Sequence, residues 1–255
     1  MILVGPNDRV FVLTGAGVSA ESGIPTFRDS NGLWNGYRVE EVATPEAWDD
    51  DPERVWNFYS MRRRDAQRCN PNPAHDALAA LESHLGERFF LCTQNVDDLH
   101  ERAGSRNLVH MHGELFSSRC ESDCGAPAFA DLNLYETSVQ IPACACGAKI
   151  RPNIVWFGEY PLAMDRIMRE IDRCDLLIVI GTSGNVHPAA SFVHWANQRN
   201  LPSAPKVRTV YVGPERPLNA AAFTEVILGK AGVVLPGLFA VGNSLLRLPK
   251  QRATG

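Results

Sequence analysis

The sequence predicts an α/β fold, in which a doubly wound parallel sheet carries a smaller, partly helical lobe. Three observations lead to this prediction. Short and almost continuously apolar segments recur along the chain, helix-like segments lie between them, and the first apolar segment runs straight into a glycine-rich turn. Parallel strands that are covered on both faces are apolar throughout, and an alternation of strands and helices builds a sheet of this kind.

The predicted strands share apolar side chains at nearly every position, and glycine or polar residues follow most of them. Short apolar runs bounded by turn residues are typical of buried strands. These strands are residues 9–14, 88–93, 175–180 and 207–212.

Two helices are predicted between the strands. Asn72 can cap a helix that begins at Pro73, and apolar residues follow at helical spacing as far as Leu85. Residues 164–171 have the same spacing before the third strand. The alternation therefore continues through the second half of the chain.

Two stretches interrupt this alternation, and they predict the domain organisation. Residues 30–70 are expected to form loops and helices without strands, and residues 117–149 show little periodicity. We expect one domain over residues 1–248, followed by a polar tail at 249–255. Its Rossmann-like large lobe is predicted from residues 1–36, 71–116 and 150–246, and its small lobe from residues 37–70 and 117–149.

Composition argues against several classes of protein. The chain has 255 residues, 45% of them apolar, and a net charge of −4, which does not suit a nucleic-acid-binding protein. No apolar run is long enough to span a membrane, and residues 1–8 lack the basic and apolar regions of a signal peptide. We therefore expect a cytoplasmic protein with no nucleic-acid partner and no membrane partner.

A glycine-rich turn follows the first predicted strand. Gly15, Ala16 and Gly17 open a G-x-G-x-x-[GA] pattern, in which glycines let the backbone approach a pyrophosphate and the start of a helix offers free N–H groups. The same pattern also occurs in tight strand-to-helix turns that bind no nucleotide. No second strand with an acidic end follows, so the architecture of an ordinary dehydrogenase is not expected. Phe27 is instead a candidate to shield a nicotinamide, with Arg28 near a phosphate.

Polar residues also follow two other predicted strands, at the edge where a parallel sheet presents its ligand crevice. Gln94, Asn95 and Asp97 can form hydrogen bonds with a ribose or a carboxamide, although Asn95 or Asp97 can equally cap a helix. The third strand is followed by Gly181, Thr182 and Ser183. These residues are small and two of them carry hydroxyl groups, which suits a nucleotide.

His112 is the candidate general base. The ordinary pKa of histidine, about 6.5, suits proton transfer near neutrality. A single histidine is more often structural, so the assignment needs support from other features. The remaining histidines are interpreted as structural or surface residues; they are His75, His84, His100, His110, His187 and His194.

Four cysteines form two close pairs, and the other three are interpreted as small buried residues. Two close pairs separated by roughly 15–20 residues are typical of a zinc ribbon, whose closed set of four thiolates is structural. Free thiols or disulfides are the alternatives. We expect one structural zinc ion bound by Cys120, Cys124, Cys144 and Cys146.

Taken together, these motifs resemble the sirtuin family of NAD-dependent protein deacylases. The matching segments occur in the family order and cover about residues 9–238. Besides the four cysteines, they are GAGVSAESGIPTFRD (15–29), TQNVDDLH (93–100), HGELFSSRC (112–120), RPNIVWFGE (151–159), GTSGNVHPAA (181–190) and LGKAG (228–232).

The resemblance implies a reaction and a role for each group of residues. The acyl oxygen of a protein's acylated lysine attacks the anomeric carbon of NAD, nicotinamide leaves, and His112 acts as general base on a ribose hydroxyl, giving free lysine and O-acyl-ADP-ribose. The implied NAD contacts are Gly15, Ala16, Gly17, Glu21, Phe27, Arg28, Gln94, Asn95, Asp97, Gly181, Ser183 and Ala231, the last against the adenine. The implied lining of the acyl-lysine tunnel is Val155, Trp156, Phe157, Gly158 and Glu159.

Tyr59 and Arg62 bear on the type of acyl group. They are three residues apart and would share one face of a helix. They resemble the Tyr-x-x-Arg pair of sirtuins that remove succinyl and malonyl groups, in which a phenol and a guanidinium hold the acyl carboxylate. The alternative places Arg62 in a solvated run of three arginines and Tyr59 in ordinary packing. Within the family resemblance we favour the carboxylate-binding interpretation, with weaker activity on acetyl groups.

Two other functions fit the same motifs. An NAD-dependent ADP-ribosyltransferase or NAD hydrolase would use the same turn and the same histidine without an acyl tunnel. A non-catalytic NAD-sensing zinc module would need no base. Only deacylation yields O-acyl-ADP-ribose, so mass analysis of the product distinguishes these functions.

Overall fold

The computed structural model describes residues 1–26, 33–34, 36–122, 124–199, 206–241 and 244–245. The strands are β1 (Ile2–Val4), β2 (Val10–Thr14), β3 (Leu33–Trp34), β4 (Tyr37–Arg38), β5 (Phe89–Thr93), β6 (Leu108–His110), β7 (Gly113–Cys120), β8 (Phe129–Ala130), β9 (Ile150–Ile154), β10 (Leu176–Ile180), β11 (Arg208–Gly213), β12 (Glu225–Leu228), β13 (Phe239–Val241) and β14 (Ser244–Leu245). The α-helices are α1 (Val39–Val42), α2 (Pro45–Asp50), α3 (Pro52–Arg68), α4 (Pro73–Leu85), α5 (Leu99–Ala103), α6 (Met164–Arg173), α7 (Phe192–Gln198) and α8 (Ala231–Val234).

Six parallel strands form the main sheet, in the order β12-β11-β10-β2-β5-β6. The four predicted strands are confirmed as β2, β5, β10 and β11, and each begins within one residue of its predicted start. The chain enters the sheet at β2, adds β5 and β6 on one side, and returns to add β10, β11 and β12 on the other. Sheets with this reversal bind ligands at the carboxyl ends of the strands beside it, here β2 and β10.

Both faces of the main sheet are covered, as its uniformly apolar strands require. Val10 and Val12 belong to the core cluster that α4 and α8 complete, whereas Phe11 and Leu13 belong to the cluster that α6 and α7 complete. The predicted start of α4 is confirmed, since the Asn72 side chain accepts a hydrogen bond of 2.9 Å from the Ala74 N–H. This packing fixes the sheet edge at which the polar loops emerge.

The structure corrects one expectation about residues 30–70. The strands β3 and β4 pair as an antiparallel hairpin, so the prediction that this stretch lacks strands was wrong. Each strand has two residues, which is too short for a periodic pattern in the sequence. The hairpin is held instead by tertiary packing, because Trp34 and Tyr37 both pack edge-on against Phe58 of α3, with ring centres 5.2 and 5.6 Å away.

A second core lies between α1–α3 and the antiparallel sheet β8-β7-β9. It is rich in buried aromatic side chains, including Trp48, Trp56 and Trp156. This part of the molecule carries the four cysteines, while the division of the chain into two lobes stays a prediction. Among the described residues, no helix combines the length and the apolar character that a membrane span requires.

Candidate active site

The glycine-rich turn packs against the loop that follows β10. The Gly17 N–H donates to the Gly181 carbonyl (2.8 Å), and a Cβ on Gly17 would stand 2.8 Å from the Gly181 Cα. The glycines therefore let two strand ends meet before they expose backbone to a ligand. Two single 3₁₀ turns, Ala16–Val18 and Ala20–Ser22, take the place of the expected helix. That expectation was wrong because Gly23, at φ +93°, ends the second turn at once.

Glu21 connects the glycine-rich turn to α8. Its carboxylate accepts a hydrogen bond of 2.7 Å from the Gly232 N–H, at the start of that helix. Ala231, the implied adenine contact, is only 3% exposed and belongs to the core. An adenine at this position would therefore meet the backbone of α8 rather than the Ala231 methyl group. Phe27 and Arg28 lie outside the described residues.

The loop after β10 brings Thr182 and Ser183 to the same edge of the sheet, both partly exposed. The Tyr211 hydroxyl donates to the Thr182 carbonyl at 3.1 Å. The Ser183 hydroxyl accepts from the Asn185 N–H at 3.3 Å. These bonds hold the loop in place at the carboxyl end of β10.

The polar residues after β5 lie beside the glycine-rich turn. The Gln94 N–H donates to the Thr14 carbonyl (2.9 Å), and the buried Asn95 amide donates to the Ser19 hydroxyl (3.0 Å). The Asp97 carboxylate accepts a hydrogen bond of 3.2 Å from the Leu99 N–H, at the start of α5. Asp97 therefore helps to cap this helix, as the alternative interpretation expected. Burial raises the pKa of Asp97, although the bonds from Leu99 and Ser19 act in the opposite direction. The structure thus joins the predicted ribose contacts to Ser19, which the sequence did not single out.

His112 is half-buried between β6 and β7. Its Nδ1 lies 3.1 Å from the Gln94 carbonyl oxygen, which can only accept, so Nδ1 carries the proton and Nε2 keeps its lone pair. Nε2 has no hydrogen-bond partner in the part of the chain that the structure describes. Burial lowers the pKa of His112, with the bond to Gln94 opposing this shift. A neutral imidazole with one free nitrogen is what a general base requires.

His110, predicted from the sequence to be a structural or surface residue, contacts the same loop. Its Nδ1 lies 2.8 Å from the Asn95 carbonyl oxygen, and its Nε2 lies 2.6 Å from the Glu101 carboxylate. Burial alone would lower the pKa of His110, but the bond to Glu101 and its charge outweigh burial and raise it. The imidazole therefore holds the Asn95 backbone in place.

The segment predicted to bind the acylated lysine runs on from β9, and internal hydrogen bonds already occupy most of its N–H groups. Val155 donates to the His112 carbonyl (2.9 Å), and Phe157 donates to the Ala43 carbonyl (3.0 Å). Trp156 donates to the Glu159 carboxylate (2.8 Å), and Glu159 donates to the Trp156 carbonyl (3.0 Å). A substrate backbone would therefore pair with carbonyl groups of this segment, or with Gly158.

Glu159, predicted to line the acyl-lysine tunnel, is engaged in an ion pair. Two hydrogen bonds from Arg151, of 2.6 and 2.9 Å, and one from Arg119, of 3.2 Å, reach its carboxylate. Burial alone would raise the pKa of Glu159, yet the bonds from Arg151 and the Trp156 N–H lower it. Phe157, in contrast, is half-exposed at 49%.

Tyr59 and Arg62 lie on one face of α3, as predicted; Tyr59 is fully buried and Arg62 is partly buried. The fully buried Tyr59 hydroxyl accepts a hydrogen bond of 3.1 Å from the Trp156 indole N–H, and burial raises the pKa of Tyr59 to about 12. The Arg62 guanidinium lies 4.1 Å from the centre of the Trp34 ring and 5.8 Å from that of Tyr59. Its Nη1 is buried and has no hydrogen-bond partner among the described residues.

The arginine run is not uniformly solvated, since Arg63 is fully buried, whereas Tyr59 packs in the core as the alternative expected. Arg62 faces this aromatic enclosure, and Arg63 is fully buried against Asp131, with 3.2 Å between Nη1 and the carboxylate. Arg62 and Arg64 are both partly exposed, and Arg64 pairs with Glu136. Sequence alone offers no signal for the Arg63 pair, because its partner is 68 residues away.

The four cysteine sulfurs lie within 4.8 Å of one another. The Cys120–Cys146 and Cys124–Cys144 sulfur separations are 3.6 and 3.8 Å. A zinc ion with thiolates at ~2.3 Å separates them by roughly 3.8 Å, whereas a disulfide needs about 2.05 Å. The disulfide alternative is therefore wrong, and the set is compatible with one structural zinc ion.

The other cysteines only partly follow their prediction. Cys92 and Cys174 are buried as expected, whereas Cys69 is partly exposed. His75 and His100, both predicted to be structural or surface residues, are buried with ring centres 4.8 Å apart. His100 Nε2 lies 3.0 Å from the Thr14 hydroxyl, so His100 supports the end of β2.

A doubly wound sheet whose strand order reverses at β2 and β10, with polar loops at the carboxyl ends of these strands and a separate four-cysteine site, defines a Rossmann-like α/β protein of the nucleotide-binding type. The family model described as the Sir2 family matches residues 15–188. The chain therefore belongs to the Sir2 family, the sirtuins that its motifs resemble.

Similar proteins agree with this assignment. An NAD-dependent protein deacylase of Escherichia coli O6:H1 is 48% identical over 230 residues, which cover 89% of this chain and 81% of that protein. One of Caulobacter vibrioides is 48% identical over 231 residues, covering 89% and 94%. A solved Sir2 homologue in complex with ADP-ribose has a TM-score of 0.80 at 44% identity and 90% coverage of both chains. A Sir2 homologue–NAD complex has a TM-score of 0.79 at 45% identity, covering 90% and 87%.

Proposed function

We propose that this protein is an NAD-dependent protein lysine deacylase that prefers succinyl and malonyl groups over acetyl groups and releases nicotinamide and O-acyl-ADP-ribose. Relatives named NAD-dependent protein deacylase, and Sir2 homologues solved with NAD or ADP-ribose, support the co-substrate and the general reaction. A Sir2 structure with a deacetylated peptide and 3′-O-acetyl ADP-ribose, 28% identical to this chain, supports a protein substrate and an O-acyl product.

Arg62 Nη1, which is buried and has no hydrogen-bond partner among the described residues, carries the proposal on acyl selectivity. A buried charged donor without an acceptor is unfavourable, and burial lowers the pKa of Arg62. Nearby Asp97 acts on it only through its charge, and no carboxylate bonds to Nη1 among the described residues. A carboxylate at the tip of a succinyl or malonyl group supplies the missing partner. An acetyl group ends in a methyl, which accepts no hydrogen bond and supplies no partner for the guanidinium.

His112 supplies the proton chemistry in this proposal. Its neutral ring is oriented by the Gln94 carbonyl, and Val155 at the start of the substrate segment donates to its backbone. The free Nε2 then accepts a proton from a ribose hydroxyl of NAD, which lies along the crevice beside Gln94 and Asn95. The backbone bond from Val155 to His112 fixes the base and the acyl-lysine segment relative to each other.

The test compares acetyl-, malonyl- and succinyl-lysine peptides of one sequence with the wild-type protein, Arg62→Met and Arg64→Met. We expect the wild type to favour the acidic acyl groups. Loss of a charge-assisted hydrogen bond, about 1.5–3 kcal/mol, lowers kcat/KM of Arg62→Met on succinyl peptide about 10- to 150-fold. The matched control Arg64→Met removes a surface charge from the same helix and keeps the wild-type preference. An equal loss on all three peptides in Arg62→Met contradicts the proposal.

The same reactions distinguish deacylation from ADP-ribosyl transfer and from NAD hydrolysis. Deacylation makes nicotinamide release depend on the acyl peptide and yields O-succinyl-ADP-ribose by mass. Nicotinamide release without peptide, or ADP-ribose attached to the peptide, would instead support the other two activities.

A further inference from the structure

We propose that Trp156 is a positioning residue for acyl selectivity, because its indole N–H orients the Tyr59 hydroxyl as a donor toward the acyl carboxylate at Arg62. The inference rests on the proposed function and adds a third member to the pair on α3. The sequence motif places Trp156 in the acyl-lysine segment but assigns it no role toward Tyr59.

The first step concerns the Tyr59 oxygen. A phenol hydroxyl has one hydrogen to donate and accepts through its lone pairs, and its hydrogen position follows its partners. The Trp156 indole can only donate, so the 3.1 Å contact uses the Tyr59 oxygen as an acceptor. The phenol hydrogen must then point away from Trp156. Among the described residues, no acceptor for that hydrogen lies within hydrogen-bond distance of the Tyr59 oxygen.

The second step concerns Arg62. Without the indole, the phenol hydrogen could rotate, and the Tyr59 oxygen would be a freer acceptor for the neighbouring guanidinium, whose central carbon lies 5.8 Å from the Tyr59 ring centre. A bond from Arg62 to that oxygen would use a guanidinium N–H that the carboxylate needs. The indole N–H occupies one acceptor position of the Tyr59 oxygen and fixes the side from which the phenol hydrogen is excluded, while Arg62 Nη1 has no hydrogen-bond partner among the described residues.

The third step concerns what holds the indole. Trp156 is 2% exposed, and the Arg151 guanidinium stacks 3.3 Å from the centre of its ring. The Trp156 N–H of the backbone is bonded to Glu159, whose carboxylate also binds Arg151. Side chain and backbone of Trp156 are thus fixed by one ion pair. The indole N–H therefore has a constant direction against Tyr59.

The experiment replaces the indole N–H while keeping an aromatic ring under Arg151. In Trp156→Phe, loss of a neutral hydrogen bond lowers the ratio of kcat/KM on succinyl peptide to kcat/KM on acetyl peptide about 3- to 10-fold. The loss is expected mainly in KM for the succinyl peptide, since the carboxylate is bound less well. A benzothienyl-alanine at position 156 has sulfur in place of the N–H in a ring of the same shape. It is expected to lower the succinyl-to-acetyl ratio by the same factor, and it keeps the test valid if the phenylalanine variant folds poorly.

The matched control is Trp56→Phe. Trp56 is also fully buried and donates its indole N–H, but to the Ile150 carbonyl at 3.0 Å. Its replacement removes a comparable hydrogen bond from the same core, so the thermal stability falls while the succinyl-to-acetyl ratio stays at the wild-type value.

A second comparison tests whether Trp156 acts through the phenol. In a Tyr59→Phe background the hydroxyl is absent, so Trp156→Phe is expected to cause no further loss of the ratio. An unchanged ratio in Trp156→Phe, or an equal loss with and without the Tyr59 hydroxyl, overturns this inference alone. A wild-type protein without any preference for succinyl peptide overturns the proposed function itself.

Discussion

Replacing Gly113 with alanine is expected to displace the neighbouring His112, the candidate base, while its imidazole is retained. Gly113 begins β7 directly after His112, pairs with Ile154 of β9, and has a φ of +85°. A Cβ at this position would stand 2.1 Å from the Asn153 carbonyl oxygen and 2.9 Å from the Ile154 Cα. Both are backbone atoms, so no side chain can rotate away to relieve the collision.

Two terms set the magnitude of this effect. A residue with a Cβ at such a φ costs roughly 1–2 kcal/mol, and an atom forced into a packed region costs roughly 1–3 kcal/mol. The free energy of unfolding of Gly113→Ala is therefore expected to fall by about 2–5 kcal/mol. At about 2–4 °C per kcal/mol for a protein of this size, Tm falls by about 4–20 °C.

Thermal unfolding followed by circular dichroism measures the effect, with Gly104→Ala as the control. Gly104 also has a positive φ, +111°, but a Cβ there would meet only the Ala79 Cβ at 3.9 Å, so this variant reports backbone strain alone. At a temperature where both variants are folded, a shift of about 1 Å in His112 lowers kcat/KM of Gly113→Ala by about 100-fold. A Gly113→Ala protein with the Tm of Gly104→Ala and full activity would refute the reasoning.

The remaining predictions concern the cysteine site and the buried His75. Metal analysis is expected to find one zinc ion per chain, and Cys120→Ser should unfold or aggregate whereas Cys69→Ser stays folded; a folded, metal-free Cys120→Ser protein would contradict this. Burial lowers the pKa of His75 from 6.5 to about 4 in the folded protein. As the pH falls, His75 is therefore protonated in the unfolded chain at a higher pH than in the folded protein. The stability that is present above pH 6.5 is lost as the pH falls toward 4. For His75 alone the loss at pH 5 is about 2 kcal/mol, measured by urea unfolding at pH 7 and pH 5. An equally steep pH dependence in His75→Gln would show that another group is responsible.

The parts of the fold that were predicted correctly depend on neighbours in the chain. The strand Val10–Thr14 is recognisable because every side chain in it is buried, so each position must be apolar. The helix Pro73–Leu85 is recognisable from its Asn72 cap and its spacing. The cysteine set is recognisable because its spacing reflects the geometry of a single ion. In each case a local rule is sufficient.

Other features were missed or misjudged because their partners are distant in sequence. Nothing near Trp34 indicates a hairpin, since Phe58 of another element stabilises it. The glycine-rich turn suggested a helix by analogy with dinucleotide-binding turns, whereas its glycines are required by contact with Gly181. Glu21 reaches Gly232 across 211 residues.

The sequence by itself determined the class of fold, the four central strands, the cysteine site and the family, because these depend on burial patterns and on motifs whose spacing is local. Only the tertiary structure decided which charges are buried and which atoms remain free. Arg62 and Arg63 are adjacent in a run of arginines, yet Arg63 pairs with Asp131, whereas one nitrogen of Arg62 has no partner in the part of the chain that the structure describes. The physical reason is that the free energy of a buried charge depends on the atoms that surround it in space, and those atoms come from parts of the chain tens of residues apart.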